Sequence, residues 1–253
     1  MKERNKGIWA LVLAAMIWST AGIFIKWLPQ DAFTILCFRA LYTMGVFALV
    51  FRSEVLRFNK QVGINALFYA GLLICFVLAN KLTTAANAIF LQYTGVAYVL
   101  LLEPWLFKLR YERINIVTTI VCFAGMSLFF LEGLDASNSL GIAIAALSGV
   151  MYAGFVLGQR KSPAEYHVGS IFWGNVLVAL VGFPSFLGAS PTGQEHLMLA
   201  YLGILQMGVG YLLFTYGLQR TTGTEAALLT MLEPLFNPVW VAIGYDEWPS
   251  RLA

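Results

Sequence analysis

Residues 63–82 read GINALFYAGLLICFVLANKL, with Lys81 as the one charged side chain. A helix rises 1.5 Å per residue, so about 20 apolar residues cross a hydrocarbon layer of about 30 Å. Reading outward in both directions gives eight more such runs. Together the nine fall near 7–28, 32–52, 63–82, 85–107, 114–131, 140–160, 167–188, 196–219 and 224–244. The first is too long for a cleavable signal peptide and is followed at once by another run. Composition agrees: 59% of the 253 residues are hydrophobic and 11% are charged, against roughly 25% charged in a soluble domain. Mean hydropathy is +0.75. A soluble enzyme, a disordered chain and a disulfide-stapled secreted module are excluded. A transmembrane β-barrel would alternate in segments of about 10 residues, and these runs are unbroken. The expected fold is all-α, a polytopic helical membrane protein.

Cys37, Cys75 and Cys122 lie far apart inside apolar runs and read as packed thiols. His167 and His196 stand at segment edges. Neither a metal site nor a histidine-based catalytic triad is expected, and no cofactor.

The connecting loops are short, so basic residues report orientation. With the N-terminus in the cytoplasm, the inner side receives Lys2, Arg4, Lys6, Arg52, Arg57, Lys60, Lys108, Arg110, Arg113, Arg160, Lys161 and Arg220, which is 12 of the 16 basic residues. The outer loops hold Asp31, Glu132, Asp135, Glu195, Asp246 and Glu247. Trp9, Trp27 and Trp105 fall at span ends, where an amphipathic ring prefers the headgroup layer.

The chain also repeats. Shifted by 134, Gly7-Ile8 falls on Gly141-Ile142, Leu13 on Leu147, Trp18 on Tyr152 and Lys26 on Arg160. Shifted by 138, Thr83-Thr84 falls on Thr221-Thr222, Asn87-Ala88 on Glu225-Ala226, and Leu91 on Leu229. Five spans per half invert the second half, a build common among secondary transporters. The expected units are 1–133, with spans one to five, and 134–253, with spans six to nine. At this spacing a tenth span would begin near residue 249, so the sequence reads as two inverted five-span repeats with the tenth span missing.

With the repeat established, several segments carry a family resemblance. They are Ala14–Gly22 (AAMIWSTAG), Phe38-Arg39-Ala40, and Thr83–Ala88 (TTAANA). The second half adds Thr221–Ala227 (TTGTEAA) and Leu232-Glu233-Pro234. The chain resembles the drug/metabolite transporter superfamily, in its EamA-type branch, over nearly its whole length. It departs from the family pattern in two places. Gly95-Val96 stands where a fourth-span proline is usual, and the tenth span is absent. The resemblance implies a transporter of a small organic solute, often an amino acid or related metabolite and by expectation an exporter. It would work by alternating access through a central cavity in the inner or plasma membrane. A proton gradient or the solute's own gradient would drive it. No nucleotide site is implied, and the sequence has no GxxxxGK loop followed by Ser or Thr. No nucleic-acid partner is expected; solute and membrane lipid are.

Polar groups inside the hydrocarbon layer are costly and are the functional candidates. Glu233 lies near the middle of the ninth span. It reads as a proton-coupling or amine-binding carboxylate, or as a hydrogen-bonded packing device beside Pro234. Pro234 deprives the Thr230 carbonyl of its usual donor, and Pro238 does the same to Pro234, so this helix should kink or open. Arg39 could snorkel to the outer surface, pair with an acid, or bind a substrate carboxylate. Trp18 and Tyr152, equivalent in the repeat, suit a cavity lining across the pseudo-twofold axis, or lipid-facing packing. Gln92, Asn175 and Gln206 are amides within spans, a type that more often bonds across helices. Tyr98 and Tyr211 complete the set of substrate-binding candidates. Glu103 is expected to reach interfacial water or Lys108. The stripe Gly141, Ala145, Gly149 and Ala153, with Gly154 and Gly158, should admit a close neighbour helix, within the fold or at a dimer seam. Two rival readings stand: an intramembrane lipid-modifying enzyme, and a non-transporting membrane subunit.

Overall fold

A computed structural model describes residues 2–128 and 139–245. The end of the fifth run, Glu132, Asp135, Asp246, Glu247, Arg251, the boundary between the two expected units and the start of a tenth span lie outside the described residues. Within them every run becomes helical. Seven segments are long and apolar enough to cross a membrane: Lys2–Trp27, Ala32–Leu56, Lys60–Leu82, Asn87–Phe107, Ser139–Lys161, Ala164–Leu187 and Gly193–Leu218. The fifth and ninth runs differ from these. The fifth is the shorter helix Arg113–Leu128, and the ninth is divided at Met231.

The helices are α1 (Lys2–Ser19), α2 (Ala21–Trp27), α3 (Ala32–Phe51), α4 (Lys60–Leu82), α5 (Ala85–Phe107), α6 (Arg113–Leu128), α7 (Ser139–Lys161), α8 (His167–Leu187), α9 (Gly193–Ala200), α10 (Gly210–Leu218), α11 (Gly223–Thr230) and α12 (Leu232–Tyr245). A π-helical stretch, Tyr201–Val209, joins α9 to α10. The first span is α1 with α2, broken at Thr20; the ninth is α11 with α12.

Five of the starts have a side-chain reason. The first N–H groups of a helix have no partner within it, and near hydrocarbon that is expensive. Asp31 accepts from the Phe33 and Thr34 amides, Asn59 from Val62, and Thr84 from Asn87. Thr192 with Glu195, and Thr222 with Glu225, form reciprocal capping boxes. Thr84 and Thr222 are the pair that the 138-residue shift aligns.

Glu103 corrects an expectation. Its carboxylate is buried and reaches neither water nor Lys108. It accepts from the Gly223 amide, the Thr224 amide and the Thr224 hydroxyl, each at 2.6 Å, with Arg160 Nε 3.7 Å away. A negative charge there meets the positive end of the α11 dipole as well as its free amides. Glu103 therefore fastens α5 to the opening of the ninth span. Arg4 pairs with Glu225 at the same end, and Arg220 with Glu3 at 3.3 Å.

Helix pairing brings α1 against α10, α11 and α12, and α7 against α4 and α5; α3 and α8 lie together between these groups. The small-residue stripe lies inside the fold. A Cβ on Gly149 would stand 2.8 Å from the Leu91 carbonyl, and one on Gly141 3.1 Å from Leu82 Cβ. On the other side, a Cβ on Gly7 would stand 2.7 Å from Arg220 Cβ. The three cysteines are free thiols, with Cys37 buried. Trp9, Trp27 and Trp105 are exposed, as side chains at a lipid interface must be.

Gly149→Ala should cost about 1–3 kcal/mol, because the carbonyl in the way is backbone and cannot rotate aside. Gly45→Ala, with nothing within 4 Å of the new Cβ, should leave the melting temperature in detergent unchanged or slightly raised. Equal melting of the two variants would refute the close-packing account. Glu103→Ala strands three buried donors and should cost roughly 2–4 kcal/mol. Glu103→Gln, which keeps one acceptor oxygen, should melt between that variant and the parent.

Candidate functional site

Four of the charged and amide groups carried by the spans, Arg39, Gln92, Gln206 and Glu233, meet around one cavity. Trp18, Arg39, Leu72, Leu73, Phe76, Gln92, Tyr152, Phe155, Gln206, Met207, Tyr211, Phe214 and Glu233 line one cavity of about 40 Å³. That is room for about two or three water molecules, so the structure is contracted around its centre. Helices from both halves of the sequence contribute.

Arg39, from α3, is 3% exposed. The snorkelling alternative is not what the structure adopts. Its Nη2 donates to Gln206 Oε1 at 2.8 Å and lies 3.0 Å from Met207 Sδ. The π-helical stretch matters here, because one extra residue per turn is a common device for re-aiming side chains at a site. Gln206 and Met207 both lie in it. Thr43, one turn beyond Arg39, sets its hydroxyl against the carbonyls of Arg39 and Gly203 and pins α3 to that stretch. Two guanidinium nitrogens, Nε and Nη1, are buried with no hydrogen-bond partner among the described residues; so is Gln92 Oε1.

Glu233, from α12, is 4% exposed. Its Oε2 lies 2.7 Å from the Tyr93 hydroxyl, which is also 2.7 Å from the Thr230 carbonyl. The Tyr152 hydroxyl meets Thr230 Oγ1 at 2.8 Å, and that hydroxyl donates to the Ala227 carbonyl at 2.9 Å. The break in the ninth span is thus wrapped by tyrosines from α5 and α7. Arg39 and Glu233 line the same cavity, and no ion pair joins them among the described residues.

The aromatic wall is continuous. Trp18 packs on Tyr211 with centroids 4.8 Å apart and on Phe214 at 5.4 Å, and Tyr211 meets Tyr69 edge-on at 4.8 Å. Gly210 allows the first contact, since its backbone lies against the Trp18 indole nitrogen.

Of the residues singled out in the sequence, Trp18, Arg39, Gln92, Tyr152, Gln206, Tyr211 and Glu233 come together here. Asn175 stands one layer back, donating to Tyr69 Oη at 3.1 Å and to the Ile171 carbonyl. Tyr98 lies on an exposed face of α5, away from the cavity. Tyr93 was missed, although Gln92 beside it was named. The signal was the carbonyl that Pro234 orphans: a buried acceptor demands a donor, and a tyrosine on a facing helix is the residue type that supplies one.

The EamA-like transporter family profile matches residues 5–131 and again 139–253. An uncharacterized transporter of Archaeoglobus fulgidus is 26% identical over 230 residues, covering 89% of this chain and 83% of that protein. One from Clostridium kluyveri is 24% identical, covering 96% and 86%. The threonine/homoserine exporter RhtA of Escherichia coli (strain K12) is 27% identical, covering 84% and 74%. A crystal structure of another protein superposes with a TM-score of 0.80 at 20% identity over 98% of this chain and 91% of its own, a likeness of fold. A polytopic helical chain whose two halves each match the same profile, with its polar residues gathered at the centre, is a multi-pass membrane protein that belongs to the EamA-like transporter family.

Proposed function

We propose that this transporter moves a small zwitterionic solute of the amino-acid class through the central cavity by alternating access. The carrying observation is that Arg39 and Glu233, unpaired with each other, line one cavity with bonding capacity to spare. Arg39 offers two free donors, Nε and Nη1, in the fork geometry that matches a carboxylate. Glu233 and the free Oε1 of Gln92 offer acceptors to an ammonium group in the same cavity. Trp18, Tyr152 and Tyr211 supply ring faces for a side chain or a cation. Asn175 acts through Tyr69, and Tyr98 has no part in this site.

The likeness to RhtA, named as a threonine/homoserine exporter, supports an amino-acid substrate and the outward direction. The basic-residue distribution supports a cytoplasmic N-terminus in the plasma or inner membrane. Alternating access finds support in paired contacts. Gly7 lies against Arg220, and Gly141 against Leu82. The shifts of 134 and 138 convert one contact into the other. Likewise the pairing of α1 with α10 corresponds to that of α7 with α4. We read this as two inverted halves, 1–133 and 134–253, related by a twofold axis through the cavity. Rocking of one half against the other would expose the site to each side in turn. The polar centre favours binding and release over the lipid-modifying and purely structural readings, and a proton or the solute's own gradient would supply the work.

The test is counterflow of radiolabelled amino acids in proteoliposomes. Exchange is expected for at least one neutral amino acid, and not for its amide or its decarboxylated amine. Arg39→Gln should weaken apparent affinity roughly ten- to a hundredfold, the worth of charge-assisted hydrogen bonds. Glu233→Gln should alter the rate or its pH dependence. Unaltered exchange in both variants would falsify this reading of the cavity.

A further inference from the structure

At the break in the ninth span two acceptor oxygens share one phenol proton unless Glu233 carries a proton of its own. The Tyr93 oxygen lies 2.7 Å from the Thr230 carbonyl oxygen and 2.7 Å from Glu233 Oε2. Both are ordinary O–H···O separations, and each needs a proton between the oxygens. A phenol has one proton to give and can accept another. The Thr230 carbonyl can only accept. Both bonds therefore exist together when Tyr93 donates to Thr230 and a protonated Glu233 donates to Tyr93. With Glu233 ionised, the phenol proton turns to the carboxylate, the stronger acceptor, and the Thr230 carbonyl loses its donor.

Among the described residues, no other side chain donates to this carbonyl. The amide that would serve a helix at this place belongs to residue 234, which is proline. The Thr230 hydroxyl donates to the Ala227 carbonyl and takes its own bond from Tyr152. Among the described residues, the Tyr93 hydroxyl is the donor that reaches this carbonyl. The carbonyl sits at the last residue of α11, immediately before the break at Met231.

We propose that Tyr93 is a proton-reading latch: a protonated Glu233 holds α11, α12 and α5 together through it, and an ionised Glu233 releases the Thr230 carbonyl and lets the break open. The released proton passes to water entering the cavity, and no other bond is made or broken. Tyr93 is a positioning residue in this scheme, acting on the backbone. The groups facing Glu233 are named by helix. Arg39 comes from α3, Tyr93 from α5, Tyr152 from α7 and Tyr211 from α10. The α1 helix presents Trp18, α4 presents Leu72, Leu73 and Phe76, and α2 meets α12 through Gly22 and Ile23. Arg39 is the one cation of this set.

The inference deepens the transport reading and rests on it for its use, but its test needs no solute. Spin labels on Trp105→Cys in α5 and Ile243→Cys in α12, both exposed positions, report the opening of the break by their separation. The background has Cys37, Cys75 and Cys122 replaced by alanine, and the protein is reconstituted in lipid without added solute. Raising the pH should shift the parent protein from one distance population to a second. Glu233→Gln, whose amide can still donate to Tyr93, should keep the low-pH population throughout. Tyr93→Phe should show the high-pH population throughout. Pro234→Ala restores a backbone donor for Thr230 and should abolish the shift. Should Tyr93→Phe fail to fold, the proline variant decides alone. A pH shift that persists in Tyr93→Phe, in Pro234→Ala or in Glu233→Gln overturns the latch, as does a parent protein with no shift. Amino-acid counterflow in the parent proteoliposomes separates these outcomes from failure of the transport reading.

Discussion

A carbonyl in hydrocarbon has no water to fall back on. Most of the backbone satisfies this constraint by being helical, and at several of the interruptions a side chain intervenes. Asp31, Asn59, Thr84, Thr192 and Thr222 serve the helix starts. Glu103 does so for α11 across a helix interface, and Tyr93 serves the carbonyl that Pro234 orphans. The expense of an unmet backbone group thus decides where polar side chains may be spent. The residue that repairs a break is also brought beside the break, which is how a tyrosine comes to touch a buried carboxylate.

Glycine sets the second condition. Lipid gives helices no hydrophobic reason to associate, so they must approach closely enough for dispersion to hold them. Gly149 on the Leu91 carbonyl, Gly141 on Leu82 and Gly7 on Arg220 are such approaches. Gly95 belongs to the same seam, where a Cβ would come 2.8 Å from the Tyr152 ring. A proline in its place would cost a helical hydrogen bond and add bulk where α5 and α7 are tightest. Glycine at this position trades a helix break for close contact, and Tyr152 is seated by that contact.

The spans were legible because about 20 apolar residues have few other fates, and the candidate site because charge and amide stand out in such runs. Arg39, Gln92 and Glu233 are recognisable at that level. What a chain with 15% aromatic residues hides is which rings matter: Tyr93 and Tyr98 differ in type not at all, yet one bonds Glu233 and the other is 40% exposed. Helical phase about an axis with weak amphipathicity separates them, and that phase is set by the partners of α5. Glu103 was misread for a related reason. Its neighbours in sequence suggested Lys108, while its bonding partners lie 120 residues on, at Gly223 and Thr224. Asn175 was read as a cavity group or a bridge between helices, and it bridges to Tyr69.

The two broken spans lie side by side, and the break in the first is tied to α12. Asn237 Nδ2 donates to the Ser19 carbonyl at 2.9 Å, and Trp240 Nε1 donates to the Ser19 hydroxyl at 2.8 Å. Ser19 ends α1 just before the break at Thr20, so α12 is fastened to the hinge of the first span. At the N-terminal end, α1 and α11 are held by ion pairs and by the Glu103 cap. The other end closes with lighter bonds: Thr20 to Tyr201 at 2.9 Å, Gln30 to Glu195 at 2.7 Å, and Lys81 to the Leu28 carbonyl at 2.9 Å. Beyond the interruptions at Thr20 and Met231, α2 and α12 pack on each other. Glu233 sits on α12 next to the interruption at Met231, and Tyr93 meets it from α5, so the proposed latch lies where the ninth span is already broken.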